Sequence, residues 1–172
     1  MGTFVFDNAH GRAVEWYLQA IGATSPVTSG SNDGILALPV NRTSDTDTLM
    51  RARVTLADLL GGLTDEPTNT VGGDGLRRKV LTASGSGEYL LPASVYDTTN
   101  HWWPLDTSDL LWHAPSSGGA WTDLIWGYIP NITSYADSSV YLMVCQSFGF
   151  SPDGTGDALA TIVDFFRALR NG

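Results

Sequence analysis

Lysine and arginine are absent from residues 80–166, although that window carries nine carboxylates and five of the six tryptophans, Trp102, Trp103, Trp112, Trp121 and Trp126. That half of the chain has nothing with which to neutralise a phosphate. With a net charge of -9 for the whole sequence, nucleic acid and anionic membrane surfaces are disfavoured as partners. Cysteine is almost missing too: Cys145 stands alone, which excludes an intrachain disulfide and a cysteine-rich zinc site. Its setting in the apolar run Val140-Tyr141-Leu142-Met143-Val144 predicts a buried structural thiol. No apolar stretch approaches the roughly 20 residues of a membrane span. The first eight residues lack the basic and long apolar regions of a secretory signal, so synthesis and folding in a cytoplasm are expected.

Catalytic and ligand motifs are scarce. Gly72-Gly73-Asp74-Gly75-Leu76-Arg77-Arg78-Lys79 invites comparison with a phosphate loop, but the spacing is wrong and Val80 follows the lysine. Asp153 and Asp157 stand four apart in a glycine-rich loop, without the later glutamate that closes a calcium cage, and a turn is the expected reading. His10, His101 and His113 lie in no metal-ligand spacing. Gly-x-Ser-x-Gly is absent. Asp97, Asp106, Asp109 and Asp123 offer carboxylate pairs for glycoside hydrolysis, yet nine acids in 87 residues supply such pairs by chance. The glycosylation sequons at Asn41 and Asn131 carry no weight without a secretion signal. The expectation is a protein that is not an enzyme and uses no cofactor or metal.

What the sequence does contain is enough apolar matter, 42%, for one core in one domain over residues 1–172. Asp7-Asn8 is placed to cap an amphipathic helix over 9–21, with Val14, Tyr17, Leu18 and Ile21 on one face and Gly22 as terminator. Asn32-Asp33-Gly34 marks a turn into a buried strand at 35–40, whose Pro39 predicts an edge or a bend. Thr55 and Asp58 resemble a capping box for a short helix stopped by Gly61-Gly62. Strands are expected at 77–82, 88–91, 109–112, 122–129, 140–148 and 158–163, the last with a helix as competitor because the run is short, and with 109–112 and 122–129 paired across the turn-rich 115–119. Ser84-Gly85-Ser86-Gly87 and Ser151-Pro152-Asp153-Gly154 read as turns. This order predicts α+β, mainly antiparallel β in a small sandwich-like sheet, with one N-terminal amphipathic helix and one short helix.

The aromatic segment has two readings. Trp102, Trp103, Trp112, Trp121 and Trp126 suit a sugar-stacking platform with carboxylates for the hydroxyls, the mark of a carbohydrate-binding module. They suit equally a hydrophobic core and protein contacts, the default for Trp112 and Trp126 inside strand-like runs.

Taken in order, Asn32-Asp33 before Ile35-Leu36-Ala37-Leu38, Leu56-Ala57-Asp58-Leu59-Leu60, Thr68-Asn69-Thr70 before Arg78-Lys79-Val80-Leu81-Thr82, Asp109-Leu110-Leu111-Trp112, Gly118-Gly119-Ala120-Trp121-Thr122-Asp123-Leu124, Val140 to Val144, Ser151 to Gly154 and Asp164-Phe165-Phe166-Arg167 give a chain that resembles small virion structural proteins of tailed actinobacteriophages. The resemblance implies a non-enzymatic particle component, a capsid-associated decoration or minor capsid protein or a minor tail protein. It would bind major capsid or tail proteins and occur in multiple copies in the virion, after synthesis in the host cytoplasm. The family transfers no catalytic or ligand residue. Docking is expected through an N-terminal arm, residues 1–34, with Trp16 and Tyr17, and through Trp102 and Trp103. Arg77, Arg78 and Lys79 are the expected electrostatic partners of acidic neighbours.

Overall fold

The computed structural model describes residues 2–22, 32–62, 64–67, 78–83, 89–91, 97–99, 102–162 and 166–169. The described elements are β1 (Phe4–Val5), a 3-10 turn (Asp7–Ala9), α1 (Ala13–Ala20), β2 (Gly34–Arg42), α2 (Asp47–Arg51), α3 (Leu56–Leu60), β3 (Thr64–Asp65), β4 (Lys79–Thr82), β5 (Tyr89–Leu90), β6 (Trp102–Leu105), β7 (Leu110–Trp112), β8 (Trp121–Ile129), a second 3-10 turn (Asp137–Ser139), β9 (Tyr141–Phe150), β10 (Ala158–Ala160) and β11 (Phe166–Leu169). A curled seven-stranded sheet runs β1-β9-β8-β2-β4-β5, with β3 also on β2. Two ribbons, β7–β10 and β6–β11, complete the strands. All described pairings are antiparallel except β4–β5. The class is therefore α+β with mainly antiparallel strands, as expected.

The centre of the sheet is β2-β8-β9. Register places Ile35, Ala37, Trp126, Tyr128, Leu124 and Val144 on one face. Helix α1 lies against that face, because Trp16 stacks flat on Tyr128 with centroids 5.7 Å apart. The Tyr17 hydroxyl donates to the Asp106 carbonyl just beyond β6. Leu36, Leu38, Val40, Ile125 and Cys145 occupy the other face. Arg42, in phase with Val40, reaches from that face to Asp47 at the start of α2. One apolar cluster joins both sides, from Phe4 to Ala160, and includes Met50, Leu56 and Leu59 of α2 and α3.

Local chemistry sets several boundaries. Thr55 and Asp58 form the reciprocal capping box of α3. Thr46 caps α2, a helix not anticipated, by accepting from the Leu49 N–H. Helix α1 starts at Ala13 rather than residue 9 because Gly11 turns through φ 79°, and it stops at Gly22, φ 74°. Pro39 sits inside a central strand, not at an edge. Strand β4 pairs with β2 only to Ala37 and β3 begins at Asn41, so Pro39 falls in the gap between them, where a missing N–H breaks no ladder. Gly127 has no room for a side chain: an added Cβ would lie 2.7 Å from Val140 Cγ1.

Two pairing expectations need correction. Strand β7 does not pair with β8 across the 115–119 turn. It pairs with β10, Trp112 opposite Ala158, and this pairing places two fully buried residues side by side. Trp102 and Trp103, outside every expected strand, lie in β6, which pairs with β11. The Ser84–Gly87 turn and most of the 64–75 and 23–34 connectors fall outside the described residues.

Candidate protein-docking edge

The end of β9 is one part of the sheet with no strand beside its outer side among the described residues. Its outer side is covered as far as Cys145: Thr55 bridges Tyr141, Val54 accepts from the Leu142 N–H, Phe6 donates to the Met143 carbonyl, and Val5 and Phe4 pair with Val144 and Cys145. Among the described residues, no strand pairs with the outer side from Ser147 to Phe150. Since Met143 turns its carbonyl outward to Phe6, alternation along an antiparallel strand turns the N–H and C=O of Ser147 the same way.

This open end is firmly seated. Trp121 and Trp112 meet edge to face at 5.6 Å, Phe148 packs on both indoles, and Phe150 packs on Trp121. A groove of about 460 Å³ lies beside it. One wall is Gln146, Ser147 and Phe148 of β9, the other runs from Leu159 to Ile162, with Leu124 and Thr3 completing it. Leu159 is 56% exposed, the largest value among the exposed large apolar residues described. A second recess of about 360 Å³ also touches Ser147 and includes Trp121, Gly149 and Phe150. The strand end therefore lies beside two recesses that meet at Ser147.

The charged side chains of the described residues are largely committed within the fold. Arg42 grips Asp123 through Nη2–Oδ1 at 2.8 Å and Nε–Oδ2 at 3.2 Å, and also binds Asp47. Thr122 Oγ1 and Cys145 Sγ donate to the same Asp123 carboxylate. Burial opposes the Arg42 charge, but the carboxylates of Asp47 and Asp123 outweigh it and raise its pKa. Burial, then the Asp123 charge, pushes the Cys145 thiol well up, which keeps it protonated and unreactive. Asp153 caps its own turn, accepting from Thr155 and Gly156, and the Gly156 N–H is the leading cause of its lowered pKa. Asp157 accepts from the Ala114 N–H and lies 3.3 Å from the His113 ring. Among the described residues no group of three or more His, Cys, Asp or Glu side chains converges to hold a metal.

Several expected contact residues have other work. Trp16 and Tyr17 are 4% and 0% exposed, so they belong to the core and not to a docking face. The described part of the supposed N-terminal arm, residues 2–22 and 32–34, is built into the sheet and its helical cover or leads into β2. Arg78 does clamp carboxylates, but those of its own chain, Glu66 and Asp137. Lys79 is fully buried, its ammonium 5.9 Å from the Trp112 ring centroid. Trp112, Trp121 and Trp126 are buried as well, which removes three of the five rings from any sugar platform. Arg77 and the side chains of Trp102 and Trp103 lie outside the described residues. The β9 edge escapes sequence reasoning because the hydrophobic run suggests a strand ending at Phe148 and gives no sign of which strand lacks a neighbour.

No protein-family model matches the chain, and no curated protein or solved structure matches it significantly.

Proposed function

We propose that this chain is a non-enzymatic structural component of a tailed-phage particle, a capsid-associated or minor tail protein held in place by other virion proteins. The observation that carries the protein-binding part is the end of β9, unpaired on its outer side among the described residues, beside a groove with exposed Leu159. An open strand edge with apolar flanks is a template for another polypeptide, and soluble proteins usually cover or charge such edges. The particle assignment rests on the ordered run of segments from Asn32 to Arg167 that resembles virion proteins of tailed actinobacteriophages. Trp102, Trp103 and Arg77 remain contact residues of the proposal.

Quantitative mass spectrometry of gradient-purified particles tests it. The chain should travel with particles at a fixed copy number, hundreds for a capsid position and a handful for a tail position. Recovery only in the soluble fraction, with complete particles forming without the chain, would overturn the assignment.

A further inference from the structure

We propose that the groove between β9 and β10 receives one extended strand of a partner protein, uncharged through its middle and flanked by lysine or arginine. This rests on the protein-binding reading above and specifies its occupant. The groove has a strand on each wall: Ser147 presents outward-facing backbone groups on one side, and β10, paired with β7 along one edge only among the described residues, forms the other. An extended chain lying between them satisfies both its backbone and the open edge, while its alternate side chains meet Leu159, Phe148 and Ile162. The groove lining contains no charged side chain, so the inserted segment must be uncharged.

Charge beside the groove selects the flanks. The Asp109 carboxylate accepts the Ile162 N–H at 2.9 Å, which sets an acid against the last lining residue. The surrounding window, residues 80–166, supplies no cation of its own. A basic partner is attracted to this rim, whereas a second copy of the same acidic window meets its own sign. The observations thus favour a basic partner over self-association.

The probe is a fluorescent nine-residue peptide with two lysines at each end and alternating threonine and valine between them, titrated into the full chain. Expected are saturable binding, at least tenfold weaker binding of a twin with glutamate flanks, and weakening as salt rises from about 50 to 500 mM. A third peptide, N-methylated at alternate central residues, keeps the charge but cannot form the ladder and should lose binding. Leu159→Asp, at an exposed position that leaves the core untouched, should weaken binding at least tenfold.

Equal binding of the N-methylated peptide would reduce the effect to charge alone and overturn the proposal, as would the absence of saturable binding. A dimer in sedimentation velocity that grows with salt and excludes the peptide would give the groove to a second copy. If particles contain the chain and the peptides fail, this insertion is wrong and the particle role stands. Peptide binding by a chain absent from particles would uphold the insertion and remove the particle role.

Discussion

Replacing Arg42 by methionine tests how the core tolerates charge. The Arg42 side chain is 2% exposed and its partner Asp123 is fully buried. The substitution preserves much of the side-chain volume and removes two hydrogen bonds to Asp123 and one to Asp47. Asp47, 41% exposed, returns to water with little penalty. Asp123 cannot, and keeps only Thr122 Oγ1 and the weak Cys145 Sγ donor. Stranding one member of a buried ion pair costs about 3–5 kcal/mol. For a chain of this length each kcal/mol moves the midpoint by roughly 3 °C, so the variant should melt about 9–15 °C lower.

The assay is thermal and urea unfolding followed by tryptophan fluorescence, on Arg42→Met, Asp123→Leu and the double variant. Because an apolar pair of similar volume restores what the stranded charge lost, the double variant should return to within about 1–2 kcal/mol of the parent. A loss below about 1 kcal/mol in Arg42→Met, or a double variant as unstable as the two single losses added together, would refute the reasoning.

The hydrogen bond from Arg42 lowers the Asp47 pKa, so its share of stability is present above the ordinary carboxylate value near 3.8 and is lost as pH falls through the lower folded value; a carboxyl-carbon NMR titration should show the depressed value, and Arg42→Met should move it back up. Gly127→Ala should cost about 1–3 kcal/mol, since the new methyl meets Val140 Cγ1 at 2.7 Å in the centre of the sheet; urea midpoints check it. Cys145, fully buried and with a raised pKa, should react with iodoacetamide only as fast as the native state opens, with labelling accelerating sharply in denaturant; rapid labelling of the native protein would place the thiol at the surface.

Sequence is most informative where the determinants are close together. Thr55, Asp58 and Gly61 contain the start and stop of α3 within seven residues, and Gly22 marks the end of α1. The start of α1 is harder to place, because Asp7-Asn8 offers a cap four residues too early and the turn at Gly11, with its positive φ, delays the helix to Ala13. Strand partners are less accessible. Trp112 faces Ala158, far along the chain, and a period-two pattern says that a face is buried without saying by what. The same limit applies to the tryptophans: composition identifies their bulk, but a buried ring and an exposed one have identical spelling. The candidate edge is hardest to read, because it is defined by what fails to lie beside β9.

The charge segregation of the sequence acquires a structural meaning from two pairs. Asp123 and Asp137 both belong to the window that has no cations, and both are met by arginines from outside it, Arg42 and Arg78. Each pair ties positions distant in sequence, 81 and 59 residues apart. An acid-only window cannot neutralise a buried Asp123 from within, so its central strand β8 is completed only when β2 delivers Arg42. The β2–β8 register therefore carries an electrostatic condition in addition to its apolar one: Val40 stands opposite Asp123, and a slip of one residue would place the carboxylate on the opposite face from Arg42. The apolar residues of β2 and β8 are buried on both faces and discriminate weakly between such registers, which leaves the Arg42–Asp123 pair as the contact that specifies one of them.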